Sequence, residues 1–190
     1  MCTGACSKFV AYGLYPLAAI SIICNIILFF PDFETKYTSE DGPETPRITE
    51  QVKYMGGLVG GGIMVLVPAI HIHLTSAGKC CANRCGVNVP VHRLCGAGVL
   101  GAIYSLAAAA LGLSNGPCAS GMTHNRVHTG AYLQDKKMWD WCVEPKGVVE
   151  FNLGLFTTLL LTSILQLILC TVQMVNGLFG CLCGPAATKR

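Results

Sequence analysis

The chain has 190 residues, of which 52% are hydrophobic and only 12% charged; mean hydropathy is +0.53 and formal net charge +3. Soluble domains carry about one quarter charged residues, so this composition excludes an ordinary water-solvated globule. The basic residues are spread over short loops, with no Arg-rich helix and no interleaved aromatics, which excludes a nucleic-acid binder.

The charges are also unevenly placed. Residues 1–8 contain Cys2, Cys6 and Lys8. From Phe9 to Pro31 there is no charge, and this run is expected to be the first membrane span, 9–31, with a polar Asn25 inside it. About 20 apolar residues are needed to cross the roughly 30 Å hydrocarbon layer. The run lacks a small-residue cleavage site and is expected to stay as a mature helix rather than leave as a signal peptide. Residues 32–53 are a charged loop.

The next uncharged run gives the second span, 54–75, which opens YMGGLVGGGIM. Gly56 and Gly60 are four apart, as are Gly57 and Gly61, the spacing that lets helix backbones approach closely in lipid. These faces are expected to pack within the bundle; a homo-oligomer contact is the alternative. His71 and His73, two apart, point to nearly opposite helix faces and do not suggest a shared metal.

Loop 76–93 carries KCCANRC, and the third span follows at 94–113, with Ser105 and four consecutive alanines offering a smooth surface. Loop 114–150 holds Cys118 and Cys142, and the aromatics Tyr132, Trp139 and Trp141 as candidate contact residues or interface anchors. The fourth span, 151–176, contains Gln166 and Gln173, seven apart on one face, with Asn176 three further on. Asn25 is the expected partner for these amides; the alternative is that Asn25, Gln166, Gln173 and Asn176 line a ligand cavity. Residues 177–190 form a tail with Cys181 and Cys183.

Four spans put both ends on one side. That side, with loop 76–93, holds Lys8, Lys79, Arg84, Arg93, Lys189 and Arg190 and no acidic residue, so the positive-inside rule places it in the cytosol. Cys118 and Cys142 are then alone outside, where a disulfide is expected. Cys2, Cys6, Cys80, Cys81, Cys85, Cys181 and Cys183 lie at the reducing face beside basic residues, a setting for S-acylation (palmitoylation). Zinc held by Cys80 or Cys81 with Cys85, His92 and Cys95 is the less favoured reading. The fold expected is all-α, a four-helix transmembrane bundle with a small disulfide-closed extracellular loop.

No expected span contains Asp, Glu, Lys or Arg, which weighs against an ion or proton-coupled carrier. No hydrolase, zinc-protease or phosphate-loop motif is present, so an enzyme is not expected and no cofactor is implied.

Several stretches carry a family resemblance. MCTGAC opens the chain, NIILFFPDFETKYTSE leaves the first span, and GGLVGGGIMVLVPAI fills the second. LGAIYSLAAAALGLSNGPC, MWDWCVEPKGVVEFNLGLFTTLLL and LQLILCTVQMVNGLFGCLCG follow. In these the chain resembles the L6 membrane protein family, four-span proteins similar to tetraspanins in layout. The resemblance implies a noncatalytic scaffold or adaptor at the plasma membrane, and for some members at endosomal or lysosomal membranes. Its implied partners are membrane lipids and other integral membrane proteins, integrin-like receptors among them, with effects on adhesion, migration and growth. The alternative function is a lipid-binding or channel- or transport-modulating membrane protein.

Overall fold

A computed structural model describes residues 4–30, 54–76, 91–115 and 148–183. These residues form four rods, and no strand occurs among them. Helix α1 spans Gly4–Phe29. The second rod begins as a π-helical segment, Gly56–Ile63, and continues as α2, Met64–Ser76. Helix α3 spans Val91–Asn115 and α4 spans Val148–Cys183.

Each rod contains a stretch long and apolar enough to cross a membrane: Ser7–Phe29, Gly56–Leu74, His92–Ser114 and Val149–Phe179. The rods outrun the uncharged segments of the sequence at several ends. α1 begins at Gly4 and so takes in Lys8, α3 takes in Arg93, and α4 starts before Glu150. A charge limits how deep a residue sits in lipid, but it does not end a helix; α4 at 36 residues spans about 54 Å at 1.5 Å per residue.

The rods form a ring in which α1 neighbours the second rod and α4, while α3 neighbours the same two from the opposite side. Chain direction alternates, so the start of α1 and the end of α4 meet at one end of the bundle. There the Gln173 side chain donates to the Ser7 hydroxyl at 3.1 Å.

Most of the large apolar side chains point outward. Phe9, Leu100, Leu161 and Phe179 are more than half exposed, as are Ile23 and Leu111. Inside, a minority of large apolar side chains such as Leu14, Ile72 and Phe156 is interleaved with many small residues: Ala11, Ala18, Ala69, Ala102, Ala109, Ser21 and Ser105. An apolar exterior of this kind suits lipid, where helices gain by close packing rather than by escaping water.

The interior is layered. Toward the Ser7 end, Val10, Ala11, Leu14, Val65, Ala69, Ile72, Cys95 and Cys170 make one apolar cluster. Toward the Phe29 end, Cys24, Leu28, Ala109, Phe156 and Leu159 make another. Between them lie the buried polar side chains Ser21, Ser105, Thr162, Ser163 and Gln166.

The irregular turn of the second rod lies at its glycines. α2 runs helically through Pro68, whose ring is buried 3.1 Å from where a side chain on Gly98 would begin. Upstream, the Met64 N–H reaches the Val59 carbonyl five residues back, the bond that defines a π-turn. Met55, before this segment, takes a left-handed conformation at φ 49°. Tyr104 of α3 donates to the adjacent Tyr54 carbonyl at 2.6 Å, tying that entry turn to its neighbour.

Candidate functional site: a polar layer in the bundle core

The layer is built from helical spacing. Ser21 and Asn25 are one turn apart on α1, as are Thr162 and Gln166 on α4, so each pair shares a face. Gln166 Nε2 donates to the Gly61 carbonyl at 2.7 Å and to Ser21 Oγ at 3.3 Å. Ser21 Oγ donates in turn to Thr162 Oγ1 at 3.3 Å, and Thr162 turns its proton to the carbonyls of Thr158 and Leu159, each at 3.0 Å. Ser163 Oγ lies 2.8 Å from Ser105 Oγ and 2.7 Å from the Leu159 carbonyl. One glutamine thus links α4 to both α1 and the π-helical segment, and one serine links it to α3.

Glycines make this approach feasible. A Cβ on Gly61 would stand 2.9 Å from Ser21 Oγ and 3.0 Å from Ser105 Oγ, so any side chain there would intrude on both hydroxyls. A Cβ on Gly60 would be 2.5 Å from the Gly101 carbonyl, and one on Gly101 would be 2.7 Å from the Gly60 carbonyl. Each carbonyl faces the other residue's Cα, an arrangement that suits paired Cα–H···O contacts. Gly56 lies against Ala108, and Gly57 against Leu159, Asn25 and Ser21. The two glycine pairs therefore serve different neighbours, Gly56 and Gly60 facing α3, and Gly57 and Gly61 turning toward α1.

The sequence-derived amides do not all meet. Gln166 pairs with Ser21 and Gly61 rather than with Asn25, whose Oδ1 is buried without a hydrogen-bond partner. Gln173 and Asn176 both reach Ser7, at 3.1 and 3.5 Å, beyond the apolar cluster of the Ser7 end. His73 packs on the rings of Tyr12 and Tyr15, with centroids 5.2 and 5.9 Å away, and its Nδ1 is 3.4 Å from the Tyr15 hydroxyl. Cys6, Cys181 and Cys183 fall within α1 and α4. Cys2, Cys80, Cys81, Cys85, Cys118, Cys142, Tyr132, Trp139 and Trp141 lie outside the described residues. Cys24, Cys95 and Cys170 are buried free thiols. Among the described residues no group of three or more His, Cys, Asp and Glu is placed to hold a metal.

Sequence reasoning passed over Ser21, Thr162, Ser163 and the Gly61 carbonyl. Their signal was present in the four-residue spacing Ser21–Asn25 and Thr162–Gln166, which marks a polar stripe on each apolar helix.

Four rods long and apolar enough to span, apolar on the outside and with a polar layer between two apolar clusters inside, define a four-span integral membrane bundle. Comparison with known proteins supplies the family. The L6 membrane protein family matches residues 1–187, and the chain belongs to it. It is 40% identical to the Bos taurus transmembrane 4 L6 family member 5 over 200 residues, covering all of this chain and 98% of the relative. The Homo sapiens member 1 is 36% identical, covering 97% and 95%, and the Rattus norvegicus member 4 is 35% identical, covering 97% and 93%. No solved structure matches.

Proposed function

We propose that this chain is a noncatalytic scaffold of the plasma membrane that binds other integral membrane proteins side by side, integrin-like receptors among them, and serves adhesion, migration or growth signalling. The observation that carries this reading is the broad outward surface of Ile, Leu and Phe on all four rods. Membership of the L6 family supports it. Both ends and loop 76–93 face the cytosol on this reading, where Cys2, Cys6, Cys80, Cys81, Cys85, Cys181 and Cys183 are the candidates for acylation. The Cys118–Cys142 disulfide closes the outer loop and presents Tyr132, Trp139 and Trp141. On this reading endosomal or lysosomal membranes are a further location, as the L6 resemblance implies.

Photo-cross-linking in intact cells tests this. A photoreactive residue at Leu100, Leu161 or Phe179, all exposed on the rods, should give discrete protein adducts identifiable by mass spectrometry. Adducts to lipid alone at all three positions would sink the scaffold reading.

A further inference from the structure

Three buried amide oxygens among the described residues have nothing to bond: Gln173 Oε1 toward the Ser7 end, and Asn25 Oδ1 and Gln166 Oε1 deeper in the bundle. Asn25 is 2% exposed and Gln166 fully buried, and Asn25 Oδ1 and Gln166 Oε1 each lack a hydrogen-bond partner. A buried acceptor left in this state forfeits the hydration it had in water, and folded proteins usually meet such atoms with a protein donor or an ordered molecule.

Both amides border the same seam. Ser21, one turn from Asn25, accepts from Gln166 Nε2. Gly57, whose Cβ would stand 2.9 Å from Asn25 Cβ, is one turn before Gly61, whose carbonyl takes the other Gln166 bond. The nitrogen of Gln166 is used, and the oxygen is left over.

The chemistry of the surroundings selects the ligand. A cation would find only neutral oxygens: no acidic residue lies between Phe9 and Pro31, Tyr54 and Gly78, Leu94 and Asn125, or Phe151 and Thr188. A charge buried without a counter-charge is heavily penalised. An anion would need donors or positive charge, and the two vacant atoms are acceptors. A neutral molecule that donates hydrogen bonds fits both. The apolar clusters on either side separate the layer from the two ends of the bundle, so the molecule would be occluded rather than in transit.

We propose that the polar layer is a binding site for a neutral hydroxyl donor, with Asn25 Oδ1 and Gln166 Oε1 as its acceptors. Two sources share that chemistry: internal water, and the hydroxyl of a membrane lipid inserted between the helices. The proposal does not depend on the scaffold reading.

The test is an experimental map of the full chain in lipid nanodiscs, at a resolution that shows ordered water, with native mass spectrometry of the same preparation. The wild-type map should show density within hydrogen-bonding distance of Asn25 Oδ1 or Gln166 Oε1. A lipid adduct of about one per chain, lost in Asn25→Leu and in Gln166→Leu, assigns the density to a lipid hydroxyl. Density without an adduct assigns it to water. An empty layer in the wild-type map, or both amide oxygens bonded to protein donors there, overturns the proposal whether or not either variant folds.

Discussion

Gln166 and Gln173 are the same residue type on the same face of α4, seven residues apart, yet the bundle uses them differently. Gln166 sits between two apolar clusters and donates to two other rods, one bond reaching a backbone carbonyl at 2.7 Å. Gln173 sits beyond the cluster of the Ser7 end and shares a single, partly exposed serine with Asn176. Depth sets the consequence of losing a polar contact. Near the end of the bundle, water or lipid headgroups can replace a lost partner. In the middle layer bulk solvent has no access, and Ser21 and the Gly61 carbonyl would lose their donor together.

The largest expected effect breaks the comparison by removing the close approach on which the layer depends. Gly60→Ala would set a methyl 2.5 Å from the Gly101 carbonyl, a backbone atom that cannot swing aside. Overpacking of this kind costs about 1–3 kcal/mol, and the unfolding midpoint in detergent titration should fall accordingly. Gly60→Ser should be no better, since the clash lies at Cβ. Next is Gln166→Ala, which leaves its partners without their donor. Interhelical hydrogen bonds in membranes average about 0.6 kcal/mol and reach about 1.7, and this one belongs at the upper end. The matched change Gln173→Ala should cost about 0.6 kcal/mol or less by the same measurement. If the two glutamine variants lose equal stability, depth is not what separates them. The smallest effect is a gain. Gly154 in α4 has nothing within 4 Å of its Cβ position, so Gly154→Ala should stabilise by about 0.5 kcal/mol through helix propensity alone. A loss there would mean that a surface lies against α4 in the membrane.

The four spans were legible because charge is a depth signal, and its absence from Phe9 to Pro31 or from Phe151 to Thr188 needs no tertiary knowledge. Helix ends were less legible, as Gly4, Val91 and Cys183 show, because helices continue past the point where lipid stops. The amides stood out as rare polar residues in apolar runs. Their partners did not, because Ser and Thr are common in membrane helices and the Gly61 carbonyl is a backbone atom that no residue type announces. The π-helical segment was hidden for a related reason: a glycine run reads as any close-packing helix face. Its glycines pack against Ser21, Ser105 and Gly101 on other rods, and a local pattern holds no record of them.

That winding bears on which insertions and deletions the gene could tolerate. A π-turn holds about one residue more than the α-turn it replaces. Elsewhere in a span, adding or dropping a residue swings everything downstream around the axis by about 100°. The second rod holds its surplus between Gly56 and Ile63, upstream of Val65, Ala69 and Ile72. Shortening the triple glycine at positions 60–62 by one would draw on that surplus, letting the segment relax to ordinary winding while those three core residues keep their facing. The glycine run is thus a slack link, the place where this span can change length without turning its core outward.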